Sequence, residues 1–170
     1  IKQEDATGAT AKAHAAAARA LEIRRRKAPG SVEVADALRA VAWLESDRSQ
    51  FDAALERIDE AIVLYRSRLP VNAPETLLAE YARAMFFYYS ARFSESESLL
   101  RALLLRTGPQ HPRVRLLVGW GLAQVLRDTE REEEAETVLV ESLAAASSLP
   151  KFQSMVQRAT GYLAEIMTDL

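Results

Sequence analysis

The chain has 170 residues, 22 basic against 24 acidic, a net charge of −2 and no cysteine, which excludes thiolate catalysis, thiolate metal sites and disulfide frameworks. A chain of this length buries roughly two-thirds of its unfolded surface, enough for a continuous core without staples, and its balanced charge recommends neither nucleic acid nor an anionic membrane as partner. The longest apolar runs, Met85 to Tyr89 and Leu116 to Trp120, fall far short of the roughly 20 residues that cross a bilayer, so no membrane insertion is expected.

The sequence begins at Ile1, shows no basic-then-apolar leader, and reads as a fragment of something longer. Residues 1–10 are polar with Ala and Gly, a frayed lead. Ala11 to Lys27 follows as an alanine-rich helix with Ala13, Ala16, Ala17, Ala20 and Leu21 on its inner face. Arg24, Arg25, Arg26 and Lys27 close it, where cations suit the negative end of the helix dipole. His14 has no second ligand nearby and reads as a surface or interface histidine, not as a metal site.

Pro29-Gly30-Ser31 breaks the chain, and Ser31 with Glu33 behind it starts a helix whose buried side carries Val34, Leu38, Val41, Ala42 and Leu44. After a turn at Asp47 to Gln50, Phe51, Ala54, Leu55, Ile58, Ala61, Ile62 and Tyr65 fall in the stepping of a helix that buries one stripe. So short a turn makes the pair an antiparallel hairpin. Small residues, Ala42 against Ala54 and Ala61, let the axes approach closely.

Pro70 and Pro74 forbid helix until Pro74 takes a first-turn position. The next helix carries two apolar lines, Leu77, Tyr81, Ala84, Met85, Tyr88 and Ala82, Phe86, Tyr89. Its partner runs from about Phe93 to Arg106, with Leu100, Leu103 and Leu104 inside. A third hairpin spans about Pro112 to Arg127 and Glu132 to Ala146, with Gly119 and Gly121 flanking Trp120 where close packing or a ligand would compensate the glycines. A last helix shows Phe152, Met155, Val156, Ala159, Tyr162, Leu163, Ile166 and Met167 inward, and Lys151, Gln153, Arg158, Glu165 and Asp169 outward, as a lid on the array. The lines opened by Phe51, Phe93 and Glu132 recur at a period near 40, the mark of stacked helical hairpins.

Gly108-Pro109-Gln110-His111-Pro112-Arg113-Val114 resembles the connector of tetratricopeptide repeats of the kinesin light chain type, and Arg131-Glu132-Glu133-Glu134-Ala135-Glu136 is similar to the turn that follows it. Weaker copies stand at Ala28 to Val32, Val71 to Glu75, Ser49 to Ala54 and Ala91 to Ser96. Ser96 replaces the alanine after the turn and Glu132 the aromatic. The resemblance implies an all-α, right-handed α-solenoid: a frayed lead 1–10 and one domain 11–170. Within it lie an N-terminal half-repeat helix, three hairpins at about 31–69, 70–107 and 108–149, and a capping helix 151–168.

It also implies an inner groove lined by the first helix of each pair. Groove-facing steps are Asp36, Arg39, Trp43 and Asp47 in the first repeat and Trp120, Gln124 and Arg127 in the third. The middle repeat gives Arg83, Phe86 and Tyr89, or Tyr81, Met85 and Tyr88 in the other register. Aromatics with arginines dominate interface energetics, yet an aromatic stripe at helical spacing also reads as core, and Phe86 and Tyr89 stand open between the two. The lysine-and-asparagine clamp that some tetratricopeptide domains close on the C-terminal carboxylate of heat-shock chaperones is not matched. The one asparagine, Asn72, lies in a loop, and Trp43 stands where a clamp asparagine is expected.

The implied function is protein or peptide recognition, as a regulatory or sensor part of a larger bacterial signalling protein; the alternative is self-assembly, with the unpaired N-terminal helix forming a homodimer. A cytoplasmic setting is expected, the alternative being the extracytoplasmic part of a membrane-anchored signalling protein. No enzymatic activity, cofactor or metal is expected. The two histidines lie far apart in sequence, no phosphate loop or GxSxG occurs, and the acids of Glu130 to Glu136 sit at a helix start, where the dipole favours them.

Overall fold

Helix boundaries follow the chain's punctuation. The computed structural model describes residues 2–146 and 153–169, among which lie eight helices and no strand: α1 (Lys2–Lys27), α2 (Val32–Ser46), α3 (Phe51–Arg68), α4 (Pro74–Tyr89), α5 (Phe93–Arg106), α6 (Pro112–Asp128), α7 (Glu132–Ala144) and α8 (Gln153–Asp169). Ser31 caps α2 by accepting the Val34 N–H at 3.4 Å, while Pro74 and Pro112 open α4 and α6 in the first turn, where no N–H is missed. Lys151 and Phe152, expected on the last helix, and the end of the third repeat near 149 lie outside the described residues.

The turns after α2, α4 and α6 share one device. Ser49, Ala91 and Glu130 stand in the left-handed region at φ 59°, 59° and 60°. At the first, Gln50 N–H donates to Glu45 O at 2.9 Å and Ser49 N–H to Ser46 O at 2.8 Å. At the third, Arg131 N–H donates to Leu126 O and Glu130 N–H to Arg127 O, both at 2.9 Å. These are Schellman closures, which use up the last carbonyls of the leading helix and send the chain back at once. A side chain in this conformation costs about 1–2 kcal/mol relative to the right-handed one.

The chain divides into two compact units, Ile1–Ser90 and Ala91–Leu170. In the first, Leu38, Ala42, Ala54, Ile58, Ala61, Tyr65, Ala82 and Phe86 are wholly shielded from water and form one cluster with Leu21 and Val41. The Tyr65 hydroxyl donates to Asp36 Oδ1 at 2.6 Å and accepts from Arg39 Nε at 3.4 Å. Burial, with the Asp36 bond, pushes that phenol up to about 12. Ion pairs lace the helices together: Arg25 of α1 to Glu60 of α3 at 2.5 Å and Arg66 of α3 to Glu80 of α4 at 2.8 Å. Glu45 is buried between His14 Nε2 at 3.8 Å and Arg57 Nε at 3.6 Å.

Two expectations for α1 are corrected. The helix starts at Lys2 and not at Ala11. Ala13 and Ala16 are exposed; His14, Ala17, Ala18 and Leu21 form the inner stripe, set by Leu21, the one large apolar side chain that α1 buries.

In the second unit α6 and α7 form the tight pair. A Cβ on Gly119 would overlap Oγ and Cβ of Ser142, so glycine is required by the approach of α7. Leu116, Leu122, Val125, Leu126, Ala135 and Leu139 fill the rest, and Ala159 and Ile166 of α8 are fully buried. Ser96, the residue standing for an alanine, is fully buried and its hydroxyl has no partner. At the connector His111 N–H donates to Gly108 O at 3.0 Å and Arg115 donates to Thr107 O at 3.0 Å, closing the end of α5.

Four charges tie α5 to α7. Arg131 Nη1 donates to both oxygens of Glu97, at 2.9 and 3.0 Å, and Nε to Glu134 at 3.0 Å; Arg101 donates to Glu97 at 2.8 Å and to Glu134 at 2.5 Å. Burial alone would raise the Glu97 carboxyl, but hydrogen bonds from Arg101 and Arg131 outweigh it and hold it below its ordinary value. Bonds from the same arginines, Arg101 first, lower Glu134.

Gly119→Ala is expected to destabilise the protein by about 1–3 kcal/mol in denaturant unfolding. Combining it with Ser142→Gly should recover part of the loss, with a coupling of at least about 1 kcal/mol between the sites; strict additivity would place the strain elsewhere. The two glutamates of this cluster set a second expectation. Folded-state values of Glu97 and Glu134 lie below the unfolded carboxylate value of about 4.3, so their contribution is complete above it and lost as pH falls further. Melting temperatures taken across acid pH should therefore drop below about pH 4, and by less in a Glu97→Gln/Glu134→Gln variant.

Candidate partner-binding site

Two helices end and one begins around a single cleft in the first unit. Trp43 and Ser46 come from the last turn of α2, Asp47 from its C-cap, Phe51 from the first residue of α3, and Tyr89 from the last residue of α4; together they line about 270 Å³. The Schellman closure at Ser49 makes this arrangement, because it returns the chain so sharply that Phe51 lies beside the turn it has just left. Trp43 is half-buried and packs its ring against Phe86, centroids 4.9 Å apart and nearly perpendicular. Tyr89 is 46% exposed and stacks edge-on with Tyr88 at 5.4 Å. Asp47 is exposed, and its carboxylate has no ion pair or hydrogen bond among the described residues. Burial, together with the Asp47 charge, raises the Tyr89 phenol above its ordinary value.

Of the residues the sequence singles out, the structure therefore brings Trp43, Asp47 and Tyr89 together. Others are otherwise engaged. Phe86 is fully buried and belongs to the core, which corrects its place as a groove residue. Met85 of the alternative register is buried as well, while Tyr81 and Tyr88 are partly exposed. Asp36 and Arg39 are held by the Tyr65 hydroxyl and lie 3.7 Å from each other. Arg83 turns to α3, pairing with Asp59 at 2.8 Å, and lies over the Phe87 ring at 5.5 Å. Ser46 and Phe51 line the cleft unforeseen; Phe51 reads in sequence as the first residue of a core stripe, and only the turn geometry shows its position beside Trp43.

In the second unit Trp120, Gln124 and Arg127 are each half-buried. Tyr162 of α8 stands 6.2 Å from the Trp120 ring, the Arg158 guanidinium lies 5.2 Å over that ring, and Arg127 lies 4.7 Å over Tyr162 and 3.8 Å from Glu165. Trp120 and Arg127 are thus covered by α8. Arg158 and Glu165, expected on its outer side, are the side chains that reach them. The Trp120 indole N–H is buried with no acceptor. An acidic cleft of about 400 Å³ at Glu130 to Glu134 surrounds the start of α7, with Glu134 already bound by two arginines. No group of three or more metal-ligating side chains occurs among the described residues, and no helix there is long and apolar enough to cross a membrane.

Two solved structures are similar over almost the whole chain. Both hold nearly identical TPR-like repeats, of a Podosopora anserina protein assigned as a kinesin light chain. They share 15% sequence identity with it, cover 99% of it and 91% and 92% of their own length, and superpose with TM-scores of 0.68 and 0.67. No family model matches the sequence, and no curated protein matches it. At this identity the likeness shows the fold, an all-α array of tetratricopeptide-like helical hairpins.

Proposed function

We propose that the chain is a non-enzymatic interaction module that receives a peptide or a segment of a partner protein at the Trp43–Asp47–Tyr89 cleft. The observation that carries this is the exposure, at one concave place, of aromatic surface beside a carboxylate that makes no ion pair among the described residues. Aromatic side chains in a pocket desolvate large area at little entropic cost, which is why they dominate interface energetics. The tetratricopeptide-like fold supports the reading, since arrays of helical hairpins offer extended binding surfaces. The resemblance supports a place in a larger bacterial signalling protein, with this chain as its regulatory or sensor part.

A second reading is self-association through α1. Ala13, Ala16 and Ile23, the last 47% exposed, leave apolar surface of α1 in solvent.

Two measurements separate the readings. In capture from cell extract followed by mass spectrometry, Asp47→Ala/Tyr89→Ala should lose its specific partner by at least about tenfold while far-UV circular dichroism and cooperative melting persist; Leu105→Ser, which alters a 90% exposed side chain on α5, should retain it. Equal capture by the double variant would end the cleft reading. Light scattering across concentration tests the second: a mass that stays monomeric throughout excludes self-association, whereas one that grows should return to monomer in Ile23→Glu.

A further inference from the structure

We propose that the cleft selects a basic side chain, lysine or its methylated forms, presented by the bound segment. The inference rests on the interaction reading above and adds the chemistry of the ligand. Trp43, Phe51 and Tyr89 supply three aromatic rings around one space, and ring faces carry the negative part of the aromatic quadrupole. Asp47 adds a carboxylate that is exposed and makes no ion pair or hydrogen bond among the described residues.

The backbone acts in the same direction. α2 and α4 both end at the cleft, each bringing the negative end of a helix dipole. The start of α3 opposes them, but Asp52 in its first turn offsets that positive end. Of the neighbouring cations, Arg39 is turned to Tyr65 and Asp36, and Arg83 to Asp59. Arg48 is exposed and makes no ion pair with Asp47. An acidic side chain would enter against the Asp47 charge and both helix ends; a neutral aliphatic one would gain the rings alone. At about 270 Å³ the space lies just under the roughly 300–1,000 Å³ of small-molecule sites, a size for a single side chain.

The test uses four blocked tripeptides differing only in the central residue: lysine, trimethyl-lysine, norleucine and glutamate. Binding is read from the Trp43 indole resonance, identified by comparison with Trp120→Phe. Lysine and trimethyl-lysine should shift Trp43 saturably and bind at least about fivefold more tightly than norleucine, with glutamate weakest. Asp47→Asn should reduce that preference. Equal binding of norleucine, or tighter binding of glutamate, would overturn charge selection and leave the interaction reading standing. A Trp43 resonance silent toward all four up to about 10 mM would overturn both.

Discussion

Two helices of a hairpin approach most closely where the residues between them are small. Ala42, Ala54 and Ala61 are wholly buried within the first unit, and in the second Gly119 faces Ser142 with no room for a methyl group. Close axes bring larger neighbours into full contact, among them Leu38, Ile58 and Tyr65 in one unit and Leu116, Leu126 and Leu139 in the other. Each such contact depends on how near the backbones stand, since a gap of about 0.5–1 Å already forfeits a quarter to a half of the dispersion attraction. Small side chains thus hold the large ones in contact, although they bury little area themselves.

The candidate site follows from the same geometry one step later. Helices brought close and reversed sharply must end near one another, and their ends gather whatever side chains occupy the final turns. On α2 these are Trp43 and Asp47, on α4 Tyr89. Polar groups one or two turns earlier are drawn into the fold: Asp36 and Arg39 meet the Tyr65 hydroxyl, whose ring is buried and whose oxygen needs partners. What remains for a ligand is the part of each helix face that the hairpin itself has not used.

This explains which features are legible in the sequence. Helix starts at Ser31, Pro74 and Pro112 and the stripes of α3, α5 and α7 rest on local rules, capping and the 3.6 period, and the structure places them there. In α1 nearly every position is alanine or polar, so periodicity is silent and the inner stripe is fixed only by the docking of Leu21. Phe86 and Tyr89 sit on a helix apolar on two sides, and one is core while the other lines the cleft; no spacing rule separates them. Arginines are the least legible. Arg39, Arg83 and Arg127 read as candidate ligand contacts, yet each is taken by a partner far away in sequence, Tyr65, Asp59 and Tyr162.

The corners at Ser49 and Glu130, one within each unit, bear on how such a molecule could yield to a visitor. Glycine at a corner tolerates a wide range of backbone angles on either side of zero. A residue with a Cβ has only a narrow left-handed well. An elbow built this way resists both opening and closing, so α2 with α3, and α6 with α7, each behave as one rigid bracket. Compliance is left to the longer joints before α4 and α6, Leu69 to Ala73 and Thr107 to His111, which begin and end on extended or turn backbone. Adjustment to a bound chain would then shift whole brackets and leave the shape of every bracket unchanged.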